Sequence, residues 1–197
     1  MKILALDSSG LVASVAVVEN DTLLAEYTVN YKKTHSQTLL PMLDEISNMT
    51  ELDLSTIDAI AVAGGPGSFT GLRIGSATAK GLGLALEKPL ISIPTTAAIA
   101  YNIWDTDKFV CPIMDARRNQ VYTGVYCYTD HRLDTVWEQD TMSIEALAEG
   151  LNCLDHEVIF LGDGVAVYRE KLEALLTIPF SFAPAHVNRQ RAAAVGA

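Results

Sequence analysis

The feature that most limits what this chain can fold into is repetition: one order of elements is spelled twice. Residues 3–6 are a short apolar run that ends at Asp7-Ser8-Ser9-Gly10, which reads as a buried strand and its turn. Residues 12–19 and 23–29 follow as strands, with Asn20-Asp21 as the turn between them. Leu39, Leu40, Leu43 and Ile46 then recur at helical spacing and predict a helix over residues 36–49, with Pro41 making its first turn short or kinked. Residues 57–63 read as a strand. A glycine-rich loop over residues 64–68 leads into a predicted helix at 69–86, a strand at 90–93 and a helix at 95–104.

The order then restarts. Strands are predicted at residues 109–114, 121–128 and 133–140, and Ser143 can cap a helix that runs to Leu151. A strand at 158–161, the loop Gly162-Asp163-Gly164 and a helix at 165–176 complete the second round. Leu4-Ala5-Leu6-Asp7 parallels Pro112-Ile113-Met114-Asp115 at the end of the first strand of each half. The predicted fold is therefore α/β, a duplicated βββαβα unit in two lobes, residues 1–105 and 106–197. That is the plan of the actin/hexokinase (ribonuclease H-like) class. Two unrelated lobes with the same element order are the competing reading.

In a fold of that plan the turn after the first strand of each half faces a cleft, where a carboxylate can orient a hydrated metal ion on a nucleotide. Asp7 and Asp115 stand in those turns. Each can equally cap its turn with a side-chain oxygen. Gly64-Gly65-Pro66-Gly67-Ser68 precedes a helix, so its backbone N–H groups can face an anion. No Lys-Ser or Lys-Thr follows the last glycine, and Thr70 stands where a dinucleotide fingerprint needs its third glycine. A purely conformational role fits the loop as well. The candidate anion or nucleotide residues are Asp7, Ser8, Gly65, Gly67, Ser68, Asp115, Arg117 and Arg118.

The helix after the loop carries Gly71, Gly75, Ala79 and Gly83 at every fourth position, on one side. A glycine inside a helix costs about 1 kcal/mol relative to alanine. Close packing must compensate, either on the sheet of the same lobe or on a helix of another subunit. In the first case Leu72, Ser76 and Lys80 point outward.

Net charge is −10 and charged residues are only 19% of the chain, against 49% hydrophobic. The acidic balance and the shortness of the Lys32-Lys33, Arg117-Arg118 and Arg189–Arg191 clusters argue against unaided nucleic-acid binding. The apolar surplus fits a large core, or a core plus an association surface. Cys111, Cys127 and Cys153 are odd in number and scattered, with no Cys-x-x-Cys pair, which argues against a disulfide framework and against a zinc site. His35, His131, His156 and His186 show no ligand spacing, and no Gly-x-Ser-x-Gly elbow is present. No signal peptide or membrane span is expected, so the expected location is the cytoplasm. Neither a catalytic constellation nor a cofactor emerges.

Taken in order, Asp7-Ser8-Ser9, Thr34-His35-Ser36 with Leu39-Leu40-Pro41, Gly64 through Gly75 (Gly-Gly-Pro-Gly-Ser-Phe-Thr-Gly-Leu-Arg-Ile-Gly), and Asp115-Ala116-Arg117-Arg118 with Val121-Tyr122 closely resemble the bacterial TsaB (YeaZ) family. The likeness fades after about Leu176. It implies a part in making threonylcarbamoyladenosine next to the tRNA anticodon, as the partner of TsaD, a catalytic relative of the same fold. TsaD bears a metal-binding His-x-x-x-His on the helix that follows a strand like residues 90–93, where this chain has Pro94-Thr95-Thr96-Ala97-Ala98-Ile99. TsaD also has a Ser-Gly-Gly-His turn where this chain has Asp115 to Arg118.

The resemblance further implies pairing with TsaD through the two first-lobe helices, self-pairing as a dimer when TsaD is absent, a contact with the ATPase TsaE, and tRNA contact only through the complex. The interface residues it suggests are His35, Leu39, Leu40, Leu43, Ile46, Leu72, Ile74 and Ser76. Family members usually continue past the point where this chain stops, at what looks like the start of a helix, so a missing C-terminal tail is an expectation. A non-catalytic partner subunit is the leading reading. The rival is an enzyme of the same fold, either a metallopeptidase-like hydrolase or a small-molecule kinase.

Overall fold

The computed structural model describes residues 1–31 and 35–197, so Lys32, Lys33 and the Thr34 of the Thr-His-Ser signature lie outside the described residues. Two compact units form: Met1–Ala98 together with Gln190–Ala197, and Ile99–Arg189.

The first unit is built on β1 (Lys2–Asp7), β2 (Ala13–Glu19), β3 (Thr22–Val29), β4 (Ala59–Gly65) and β5 (Leu90–Pro94), in the order β3-β2-β1-β4-β5. β1 is central because it is apolar on both faces. It pairs antiparallel with β2 (Ala5 opposite Ala16) and parallel with β4 (Ala5 opposite Ala61). The sheet's two faces differ in side-chain size. Leu4, Leu6, Val15, Val17, Ile60 and Val62 point to one side, which is covered by α1 (Leu39–Thr50) and α2 (Phe69–Leu86). Each such side chain contributes about 1.5–3 kcal/mol on burial. Pro41 lies in the first turn of α1, where a missing N–H costs no intrahelical bond.

The other face is mostly alanine: Ala5, Ala16, Ala59, Ala61 and Ala63, with Ile3. Small side chains let a helix come close, and α6 (Ala192–Gly196) packs there with Ala192 and Val195 buried. Three bonds hold it. The Ala192 amide donates to Ser14 Oγ (2.8 Å), the Ala193 amide donates to Glu26 Oε1 (3.0 Å), and Arg191 pairs with Glu26.

The second unit repeats the plan. Its strands β6 (Phe109–Arg117), β7 (Gln120–Thr129), β8 (Arg132–Ser143), β9 (Val158–Leu161) and β10 (Phe180–Phe182) run in the order β10-β9-β6-β7-β8. Its helices are α4 (Ile144–Leu154) and α5 (Val165–Leu175), and its core includes Cys111, Ile113, Val121, Leu147, Phe160 and Leu172. Ser143 caps α4 by accepting from the Ala146 amide. The duplicated βββαβα plan is thus present in both sheets, with the same neighbour order.

Three expectations need correction. The lobes do not divide at 105/106: residues 99–105 belong to the second unit and residues 190–197 return to the first, because Ala192 and Val195 complete its alanine face. The helix expected at 95–104 is α3 (Thr95–Ala100), since the chain turns at residues 101–102. β10 was not expected, whereas the helix start expected at the end of the chain is α6 (Ala192–Gly196). Among the described residues no helix is long and apolar enough to cross a membrane.

Candidate functional site

The most closely built part of the first unit is the turn after β1. Asp7 is fully buried. Its Oδ1 accepts from the Ser9 amide (2.8 Å) and the Ser9 hydroxyl (2.7 Å), while Oδ2 has no partner. Burial pushes its carboxyl up to about 6, against the opposing pull of the Ser9 bonds and of His35.

The glycine loop closes directly onto this turn. A Cβ at Gly67 would lie 2.2 Å from the Ser9 carbonyl oxygen, and one at Gly71 would lie 2.0 Å from that of Ser8. The Ser68 amide donates to Ser9 O (2.7 Å), the Gly65 amide to Thr95 Oγ1 (3.1 Å) and the Gly71 amide to Ser68 Oγ (3.3 Å). Ser8 Oγ donates to Gly71 O (2.9 Å). The loop therefore spends these donors on its own chain. His35 lies half-buried, with Nε2 2.8 Å from the Gly10 carbonyl oxygen, so the short helical turn His35–Gln37 ahead of α1 is pinned to the same turn. Gln190 is buried beside Gly10, where an added Cβ would lie 2.4 Å from the Gln190 Nε2.

The glycine side of α2 is settled by this packing. Gly71, Gly75, Ala79 and Gly83 are all buried within their own unit; a Cβ at Gly75 would meet Ser8 Oγ at 2.4 Å. Gly81 differs, with nothing within 4 Å of an added Cβ. Lys80 is exposed as expected, while Leu72 and Ser76 are half-buried.

The expected interface residues fall into two groups. Leu39, Leu43 and Ile46 are 1%, 4% and 4% exposed and belong to the core under α1, so they are corrected: their apolar stripe faces its own sheet. Ile74 is half-buried against the same core. Leu40 stands out at 52% exposure. The apolar groups that α1 and α2 turn to solvent are others: Met49 (77%), Phe69 (73%) and Leu84 (84%). Phe69 and Leu84 carried a signal in the sequence, since each falls off the buried stripe of α2, whereas Met49 is in phase with the stripe of α1 and is exposed because it lies in the last turn. Gln190 gave no signal.

In the second unit Asp115 is only half-buried. Its Oδ1 accepts from the Arg117 amide (2.9 Å) and from the Tyr168 hydroxyl (3.1 Å), and its Oδ2 lies 3.2 Å from the exposed Arg117 guanidinium. Arg117, Arg118 and Asn119 all have positive φ in the β6–β7 turn and are exposed. The Asp115 amide donates to Asp163 Oδ1 (3.3 Å), and burial raises the Asp163 carboxyl against that bond. Among the described residues no group of His, Cys, Asp and Glu is arranged to hold a metal ion.

Comparison with known proteins places these features. The family described as "TsaD: tRNA N6-adenosine threonylcarbamoyltransferase" matches residues 22–196. The "tRNA threonylcarbamoyladenosine biosynthesis protein TsaB" of Bacillus subtilis (strain 168) is 35% identical over 176 residues, 89% of this chain and 77% of that protein. The solved structure of "YeaZ from Pseudomonas aeruginosa" superposes with a TM-score of 0.80 at 27% identity, covering 96% of this chain and 86% of that one. An inorganic polyphosphate/ATP-glucomannokinase from Arthrobacter sp. strain KM shares the fold alone, at a TM-score of 0.52 and 14% identity over 92% of this chain and 91% of that one.

Proposed function

Because the chain belongs to the TsaB (YeaZ) family, and so to tRNA threonylcarbamoyladenosine biosynthesis, we propose that it serves there as a non-catalytic subunit that docks a TsaD-like catalytic subunit. The docking face is the outer side of α1 and α2. The observation that carries this reading is the exposure of Phe69, Leu84, Leu40 and Met49 on the same two helices. Large apolar groups held in water on neighbouring helices mark an association surface. α2 is also nearly free of charge, with Arg73 and Lys80 as its only ionised residues. That composition suits the core of a protein interface, from which charged groups are depleted.

The turn chemistry supports a structural rather than a catalytic role. Asp7 is shut away from solvent, and the loop amides that could cradle a phosphate bond to Ser9, Ser68 and Thr95. A sugar-kinase activity would need those donors free. In this reading tRNA is met only through the complex, a TsaE-like ATPase joins it, and the same face pairs two copies when the catalytic subunit is absent.

The test is a reconstituted tRNA modification reaction with the catalytic partners supplied. Threonylcarbamoyladenosine is expected to form when this chain is present and to drop sharply when it is omitted, with no product from the chain alone. Unchanged product on omission refutes the subunit role. Magnesium-dependent ATP turnover by the isolated chain favours the kinase alternative.

A further inference from the structure

Beside the exposed face of α1 the first unit holds a cavity of about 460 Å³ between the end of β3 and the start of α1. Its apolar lining comes from Val29, Pro41 and Met42. Its remaining lining comes from Tyr27, Tyr31, Gln37, Thr38 and Glu45. β3 is the outer strand of its sheet, so the cavity opens to solvent rather than into the core. Glu45 is its one charged lining group, and among the described residues it forms no ion pair. The hydroxyls of Tyr27 and Tyr31 and the amide of Gln37 likewise have no hydrogen-bond partner among the described residues.

These groups ask for one kind of visitor. A carboxylate beside tyrosine faces attracts a cation and repels a phosphate. Acceptors are offered by Glu45, by Gln37 and by the tyrosine hydroxyls, while the apolar lining suits an aliphatic stem. A guanidinium meets all of this: it is planar, stacks on an aromatic ring, and donates in a fork to a carboxylate. An ammonium offers neither the plane nor the fork.

We propose that this cavity receives an arginine side chain from the protein that docks on α1 and α2. The proposal rests on the docking reading for the identity of that protein. It adds an anchor of defined chemistry to an otherwise apolar face. Arginine in a half-enclosed pocket beside an apolar patch is a common arrangement for the few residues that dominate an interface.

The cavity can be probed without the partner. Full-length chain labelled at the methionine methyls and tyrosine rings is titrated with N-acetyl-arginine amide and, separately, with the neutral N-acetyl-citrulline amide, following Met42, Tyr27 and Tyr31 by NMR. Saturable shifts are expected with the arginine amide in the millimolar range, and binding of the citrulline amide about fivefold weaker or more. Glu45→Gln should bring the arginine amide down to the citrulline level while leaving the melting temperature unchanged. Equal binding of the two amides, or no saturable shift up to about 50 mM, overturns the proposal. So does arginine binding that appears only when Lys32 and Lys33 are both changed to Gln, which would make the chain's own lysines the occupant. Preferential binding of adenosine over the arginine amide would overturn it as well. Failure of the docking reading shows separately, as loss of complex formation by the wild-type chain, and leaves the amide titration untouched.

Discussion

The two units share a strand order and differ in what they do with it. In the first, the glycine loop lands on carbonyls that follow the turn aspartate, those of Ser8 and Ser9. In the second, Gly162 and Gly164 land on Ile113, two residues before Asp115. The first landing leaves Asp7 completely buried; in the second unit Asp115 keeps 15% of its side chain exposed and bonds to Tyr168 and Arg117. The helices above them differ in the same sense. α2 is long, glycine-lined beneath and apolar on its outer side, whereas α5 turns Arg169, Glu170, Lys171 and Glu173 to solvent. One duplicated plan thus yields a first unit whose helices expose Leu40, Met49, Phe69 and Leu84 and a second whose α5 exposes mostly charged groups beside Val167. The lesson is that a closely packed small-residue underside frees the opposite side of a helix to carry apolar groups without unfolding the unit.

The largest effects should come from the landings themselves. Gly71→Ala puts a Cβ 2.0 Å from the backbone oxygen of Ser8, and backbone has little freedom to yield. A loss of about 3 kcal/mol or more is expected in denaturant unfolding. Gly162→Ala should cost a similar amount, with its Cβ 2.2 Å from Ile113 O and φ at +100°. If only one of the pair destabilises, the two loops are not equivalent supports.

Asp7 sharpens the contrast next. Its carboxyl rises from 3.8 to about 6 on folding, so between those values the folded state holds more protons than the unfolded one. Its contribution to stability therefore falls as pH climbs through that window, reaching a penalty of about 3 kcal/mol at neutral pH as an upper figure. Asp7→Asn should flatten the unfolding free energy between pH 4 and about 6 and raise it at pH 7. An unchanged pH profile for Asp7→Asn would contradict the burial argument.

The smallest stability effect is a gain. Gly81 has open space where a Cβ would go and lies within α2, so Gly81→Ala should stabilise by about 1 kcal/mol in thermal melts. A loss there would mean the outer side of α2 is already covered in the free protein, for instance by a second copy.

Much of this fold was legible from order and spacing. The bounds of α2 and β9 and the buried glycine side follow from local pattern, which is where periodicity is informative. The return of residues 190–197 to the first unit was not legible, because an alanine-rich stretch carries no periodic mark of which sheet it will cover. β10 escaped notice because Phe180–Phe182 is too short to show alternation. Three of the expected interface residues are buried for a physical reason. Periodicity finds the apolar stripe of α1, and Leu39, Leu43 and Ile46 form it, but a stripe is what a helix buries first. Leu40, Phe69 and Leu84 stay exposed because they fall out of phase with the buried stripes.

The most direct test of the contrast is a binding titration of the TsaD-like catalytic subunit against three forms of the full chain: wild type, Phe69→Asp with Leu84→Asp, and Val167→Asp. All three substitutions replace exposed side chains, so the melting temperatures should stay together. The double change on α2 is expected to weaken binding by about a hundredfold, the loss of two anchors at about 1.4 kcal/mol each, while Val167→Asp on α5 leaves it unchanged. Equal affinity for the double variant and the wild type would contradict docking through the first unit, and a loss confined to Val167→Asp would move the interface to the second.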